Sequence, residues 1–253
     1  MNSTTHMRST ITALLMSIIA LSSLHCQEEK PQVMQELASM VKTAGLESLQ
    51  INSSKEYDER LDATMYVIGW SRNDNFAYLV RTGPEAADEE IYFFVIQNLI
   101  TDSVYVNEVL RMTMGTNVND LWDAQGKTIQ SKLNAHDIER VNGELSHFPG
   151  VFGRFRDTLL EIEHQTRRGE DPTRGFQGVS HCRLILRQNG MQTKTVDNRE
   201  FRFYPLAVDV AGYIKSPFSD RIAIVVRMIS MGWEGPPNGS SVYVVGAGIG
   251  SKF

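Results

Sequence analysis

A chain of 253 residues that is 42% hydrophobic and 22% charged has enough apolar side chain for a full core, which argues against a disordered chain and allows one large domain or two small ones. Its formal net charge is −5. Lys and Arg form no long run, and Glu170 and Asp171 interrupt the cluster of Arg167, Arg168 and Arg174, so nucleic acid is excluded as the expected partner and that stretch reads as a solvated loop.

The chain opens on a targeting pattern. Arg8 precedes a weakly polar to apolar run, Ile11 to Leu21, that closes in Ser22 and Ser23 shortly before Cys26. This is the layout of a bacterial secretory signal over residues 1–25. The run is much shorter than the roughly 20 apolar residues a membrane-crossing helix needs, so export is expected, to the periplasm or outer membrane or to the outside. Two processing routes leave different proteins. In one, Cys26 is lipidated and tethers the chain to a membrane, and the preceding Ser23, Leu24 and His25 resemble a relaxed lipobox of the kind spirochaetes tolerate, although His25 is an unusual neighbour for the cleavage point. In the other, cleavage follows Ser22, with Ala20 and Ser22 as the small recognition residues. Cys26 then keeps its thiol and is placed to pair with Cys182, the only other cysteine.

After a tether, residues 26–61, the periodicity changes. Val33, Leu37, Met40 and Val41 recur at helical spacing between Pro31 and Gly45, a starter and a stopper, and predict a short amphipathic helix. Residues 62–253 read as one β-rich domain. Thr64 to Trp70, Phe76 to Thr82, Ile91 to Leu99 and Val104 to Leu110 are rich in β-branched and aromatic residues and are separated by turn residues, which predicts an antiparallel meander. A helical insertion is expected near 117–138. It is interrupted or restarted at Gly126, with Thr128 to Ile138 its firmer part. Asn142 to Arg156 reads as a loop in which Phe148, Phe152 and Phe155 either plug the core, the favoured reading, or present an aromatic binding surface.

Six more strands follow the same pattern: Leu159 to Gln165, Ser180 to Arg187, Met191 to Val196, Leu206 to Ile214, Arg221 to Ile229 and Ser241 to Val245. Gln188, Asn189 and Gly190 supply a hairpin turn between two of them. The expected fold is therefore α+β and β-rich, antiparallel meander sheets with two or three short helices, in a sandwich or an incomplete propeller-like arrangement.

A weak internal repeat runs through these strands. Ser71 to Arg81 aligns with Ser216 to Arg227 once one extra turn residue is allowed, matching Asp74 with Asp220, Phe76 with Ile222, Ala77 with Ala223 and Arg81 with Arg227. A polar turn with Asp, followed by large-apolar, Ala, large-apolar, resembles the inner hairpin of TolB-type and WD40-type propeller blades. With Gly232-Trp233-Glu234-Gly235-Pro236 after it, the second copy is similar to the end of an uncharacterised family of predicted secreted bacterial proteins. The resemblance covers roughly 60 residues and implies a blade-like hairpin. It brings no activity with it, and only two such units are visible where a propeller needs at least four.

Catalytic patterns are sparse. His136, His147, His164 and His181 form no His-Glu-x-x-His motif. His181 and Cys182 are adjacent on a strand, so their side chains point to opposite faces and do not make a nucleophile and base. Asn73-Asp74-Asn75 reads as a turn, and Gly246-Ala-Gly248-Ile-Gly250 lacks the following helix a phosphate loop needs, which leaves it a flexible or bulged terminal strand. No cofactor is expected. The candidate binding surface is Trp233 with Glu234, an amphipathic anchor beside a carboxylate in a Gly- and Pro-rich loop; folding of Trp233 back onto the sheet edge is the competing reading. The functional expectation is a binding or scaffolding protein of the envelope, held by its N-terminal lipid and meeting an envelope protein or a small ligand. The alternatives are an envelope hydrolase built from distant carboxylates and a periplasmic small-ligand binder.

Overall fold

In the computed structural model, residues 46, 48–51, 60–61, 63–82, 89–152, 158–190, 192–232 and 238–250 are described. All fall in the compact unit Leu46–Phe253. The predicted helix at Pro31 to Gly45, Cys26, Trp233 and Glu234 lie outside the described residues.

Three sheets carry the fold. The first has the order β1 (Ser48–Gln50), β3 (Thr64–Trp70), β4 (Asn75–Thr82), β5 (Glu89–Asn98) and β6 (Val104–Thr113), with β7 (Glu139–Arg140) also on β3. The second runs β2 (Arg60–Leu61), β15 (Asn238–Gly248), β14 (Arg221–Ser230), β13 (Ala207–Lys215) and β8 (Leu145–Ser146). The third runs β12 (Gln192–Glu200), β11 (Gln177–Gln188), β10 (Thr158–Glu170) and β9 (Gly150–Phe152). Every pairing is antiparallel except the short parallel contact of β2 with β15.

Side-chain alternation stacks these sheets. On β4, Phe76, Tyr78 and Val80 share a core with Ala223, Val225 and Val244 of the second sheet. Ala77 and Leu79 point the other way, into a core shared with Leu121, Ile129 and Leu133 of α1 (Val118–Ala135). On β14, Ile222, Ile224 and Val226 turn to the third sheet and meet Cys182, Leu184 and Leu186. The layers are thus helix, first sheet, second sheet and third sheet. A strand covered on both faces must be apolar at every position rather than at alternate ones, which is why β14 reads Ile-Ala-Ile-Val-Val.

The ten long strands lie where periodicity placed them, and the fold class is corrected to mostly β. One helix stands among the described residues, and their sheets close neither a barrel nor a ring of blades. That helix is continuous where a break at Gly126 was expected, and it ends at Ala135, short of Ile138. Asn117 caps it, accepting from the backbone N–H groups of Asn119 and Asp120 while Asp120 returns a bond to the Asn117 N–H, a reciprocal capping box. It passes through Gly126 unbroken, and the Trp122 ring lies against that glycine, 3.1 Å from where a Cβ would stand. A second correction concerns Arg167 and Arg168, which belong to β10 rather than to a loop. The hairpin between β10 and β11 is tied at its far end by Asp171, whose carboxylate accepts from the backbone N–H groups of Thr173, Arg174 and Tyr204 at 2.8–2.9 Å.

Turn chemistry explains the remaining connections. Asn189 and Gly190 have φ of 50° and 69°, the paired positive angles of a tight hairpin turn that matches strand twist. Phe148 packs against Tyr213 with ring centroids 4.7 Å apart, on the core side as expected. Phe155 lies outside the described residues.

The internal repeat has a geometric counterpart. The Ser71 N–H donates to Asn75 O and the Ser216 N–H to Arg221 O, while the Leu99 N–H donates to Asp74 O and the Ile249 N–H to Asp220 O. In both turns the serine hydroxyl accepts two backbone N–H groups, those of Asn73 and Asn75 in one and of Phe218 and Ser219 in the other. β3–β4–β5 and β13–β14–β15 are therefore two copies of one three-stranded unit facing each other across the first core.

Candidate functional site

Of the residues singled out from sequence, Cys182 is described. It is a buried free thiol on β11, and burial, reinforced by the nearby Asp197 charge, pushes it up to about 11. A thiol so far above neutrality is a poor nucleophile. His181 faces away from it and bonds Asn198 through Nε2 at 2.8 Å. The Ser180 hydroxyl donates to Arg167 O. Asp74, in the polar Asn73 to Asn75 turn, is engaged by Ser219 and Arg221. Gly246 to Gly248 form regular strand, paired with Arg221 to Ala223, rather than a flexible or bulged end. Gly246 is required there, since a Cβ would stand 2.0 Å from Leu99 O.

A different site emerges at the outer edge of the second sheet. β2 covers β15 only at Asn238 and Gly239. Beyond them, two side chains of the first sheet's β5–β6 hairpin take the place of a neighbouring strand: Gln97 Nε2 donates to Val244 O at 3.0 Å, and Asp102 Oδ1 accepts from the Gly246 N–H at 2.8 Å. Alongside this edge lies a cavity of about 330 Å³, bounded by β4, β5 and β6 on one side, β14 and β15 on another, and β12 of the third sheet at its end.

The walls divide by chemistry. Val80, Phe93, Val95, Val104, Val242 and Val244 make an apolar body. Gln97, Asp102, Asn107, Asp197, Arg199 and Tyr243 supply the polar groups. The Tyr243 hydroxyl donates to Asp197 Oδ2 at 2.9 Å, and the Arg199 guanidinium lies over the Tyr243 ring, 4.0 Å from its centroid, with Nε 3.7 Å from the same carboxylate oxygen. Burial, then the Asp197 charge, drives the Tyr243 phenol upward, so it stays a donor at any ordinary pH. The Asp102 carboxyl is also raised, chiefly by desolvation, against the lowering bonds from Gly246 and Gln97.

Tyr78 completes the lining. It is only 3% exposed, its phenol is raised by burial, and its hydroxyl has no hydrogen-bond partner among the described residues. Sequence reading placed Tyr78 in a strand and Asp102 in a turn without giving either a role. The available signal was the i, i+2 spacing of Asp197 and Arg199, which puts both on one face of β12.

The described residues hold no group of three or more His, Cys, Asp or Glu side chains placed to ligate a metal. No helix of the described residues is long and apolar enough to cross a membrane. Comparison with known proteins found no matching family model, curated protein or solved structure.

Proposed function

We propose that this is an exported envelope protein, tethered through lipid on Cys26, whose β-rich unit binds a small ligand in the cavity beside β15. The observation that carries the binding role is the cavity itself. A cavity of about 330 Å³ walled largely by apolar side chains with a few polar groups among them is the arrangement of a small-molecule site. The export half rests on the Arg8 to Cys26 pattern.

A second reading, an envelope hydrolase, draws on one observation: Asp102 and Asp197 line the same cavity, and desolvation raises Asp102 in the direction a general acid requires. Binding is preferred because Asp197 is held by Tyr243 and Arg199, and Asp102 Oδ1 is taken by two donors. Both carboxylates thus already serve protein donors that hold the cavity wall together.

The test is a thermal-shift screen of small amphipathic molecules against the full chain and Val104→Trp. Val104 lines the cavity yet is 52% exposed, so the larger ring blocks the mouth without entering the core. A ligand at a hundred times its Kd stabilises by about 2.7 kcal/mol, and that stabilisation should vanish in the variant. Equal shifts in both proteins would refute the cavity as the site; ligand turnover abolished by Asp102→Asn would favour the hydrolase.

A further inference from the structure

The second sheet leaves most of its β15 edge uncovered by any strand among the described residues. In an antiparallel ladder, residues alternate between bonding their partner and turning both backbone groups away. On β15 the outward set includes Val244, whose O accepts from Gln97, and Gly246, whose N–H donates to Asp102. Val242 has the same parity. Its N–H and C=O therefore point out of the sheet edge, and neither has a hydrogen-bond partner among the described residues. That edge runs along the cavity: Val242 and Val244 line it, Phe93 and Val95 of β5 stand on one side, and Asp197 and Arg199 of β12 close its end. Unpaired backbone groups on a strand edge are a template for another strand, and groups turned into a largely apolar space carry a desolvation cost until something pairs with them. β2 already pairs with this edge at Asn238 and Gly239.

We propose that the cavity takes a short free peptide in extended form, added to β15 as an extra strand beside Val242. The inference rests on the binding role proposed above and names its ligand class. Main-chain bonds to Val242 supply the polar contacts, as in strand addition to a sheet edge generally. Alternate side chains of such a strand face opposite ways, so one turns to Phe93 and Val95 while its two neighbours turn toward Asp197 and Arg199. The fitting sequence is an apolar residue between small polar ones. Length is set by what stops the edge at each side, β2 at Gly239 and the Gln97 side chain at Val244. The open stretch between them, Ser240 to Tyr243, spans roughly 13 Å at about 3.3 Å per residue and holds about three or four residues. A strand running through from a folded partner would collide with both stops.

Isothermal titration of the full chain tests this with acetyl-Thr-Val-Thr-amide and its three singly N-methylated forms, the methyl moved along the chain one residue at a time. Successive N–H groups of an extended strand point to opposite edges, so the effects should alternate. Methylation of an amide facing β15 should weaken binding about tenfold, and methylation of one facing away should change it by less than about threefold. Val242→Pro removes the N–H that faces the cavity and spares the ladder to β14, to which a residue of this parity donates nothing. It should cost the unmethylated peptide about tenfold, and a urea midpoint close to the parent's reports that it is folded. If the proline variant does not fold, the N-methyl series on the parent chain decides alone. Equal binding of all four peptides, or losses without alternation, overturns strand addition and leaves the cavity as a binding site. If the unmethylated peptide does not bind while amphipathic molecules of the thermal-shift screen do, the peptide class fails and the binding role stands. If neither binds, both fail.

Discussion

Asp74 and Arg221 join the two copies of the repeated hairpin. Arg221 Nε donates to Asp74 Oδ2 at 3.0 Å, and the same guanidinium donates to Leu99 O at 3.1 Å. Arg72 of the first turn lies over the Phe218 ring of the second, 4.9 Å from its centroid. A repeat in sequence has thus become a contact in space, with each turn supplying the other's partner.

Replacing Asp74 with Asn keeps a residue that tolerates its positive φ and removes only the charge. It leaves Arg221, whose side chain is 20% exposed, without its carboxylate. Loss of one partner from a largely buried pair costs about 3 kcal/mol, read as a lowered urea midpoint. Arg221→Met in the same chain should recover part of that loss. A midpoint within about 0.5 kcal/mol of the parent in Asp74→Asn would show that the pair is incidental.

The second ion pair lies on the helix side of the first sheet. Arg81 donates two hydrogen bonds to Glu90, at 2.7 and 2.8 Å, and holds that buried carboxylate below its ordinary range. A depressed carboxyl contributes stability above the unfolded-state value, and the contribution is lost as pH falls through the folded one. Glu90→Gln should therefore cost about 2 kcal/mol at pH 7. The gap between parent and variant should narrow steadily as urea titrations are repeated at pH values below about 4.5. A gap that stays constant down to pH 2 would mean that packing, not charge, accounts for the loss.

Much of this architecture was legible in sequence, and the limits follow from physics. Strands such as β4 and β5 announce themselves because β-branched and aromatic residues stop at turn residues, and Asn189-Gly190 specifies its turn by the φ angles it accepts. Gly126 misled because helix propensity is local, while the Trp122 ring that covers it is a packing effect. The layering was not readable, since a doubly covered strand such as β14 has lost the alternation that would mark its faces. The cavity was illegible for a different reason. Tyr78, Asp102 and Asp197 come from three distant segments, and only sheet stacking brings them to one space.

Cys182 and Cys26 together offer a covalent record of processing. Burial keeps the Cys182 thiol near 11, so at pH 8 its thiolate is about a hundredfold scarcer than that of a free cysteine. Iodoacetamide should modify it at least a hundredfold more slowly in the native protein than in urea. A lipidated chain then shows one slow thiol and an intact mass raised by acyl groups. A chain cut after Ser22 shows either a second, fast thiol or no thiol until reduction. Rapid native alkylation of Cys182 would contradict its burial.

Cys26→Ser supplies the matching test of the tether. Removal of the proposed acylation point should move the protein from the membrane pellet to the soluble fraction on cell fractionation. Membrane association unchanged in the variant would reject Cys26 as the anchor.

The order in which the strands leave the ribosome has a consequence of its own. The first sheet is built from residues 48–113, with β7 following at Glu139–Arg140, but the face it turns inward is covered by β14 and β15, the last strands of the chain. Until residue 248 is free, Phe76, Tyr78 and Val80 have no opposite layer, and a nascent chain carries a sticky, half-finished surface for more than half of its length. Arg60 and Leu61 wait equally long for Asn238 and Gly239. A chain cut short anywhere before β15 is therefore expected to be aggregation-prone rather than partly functional, and the unit stands or falls as a whole.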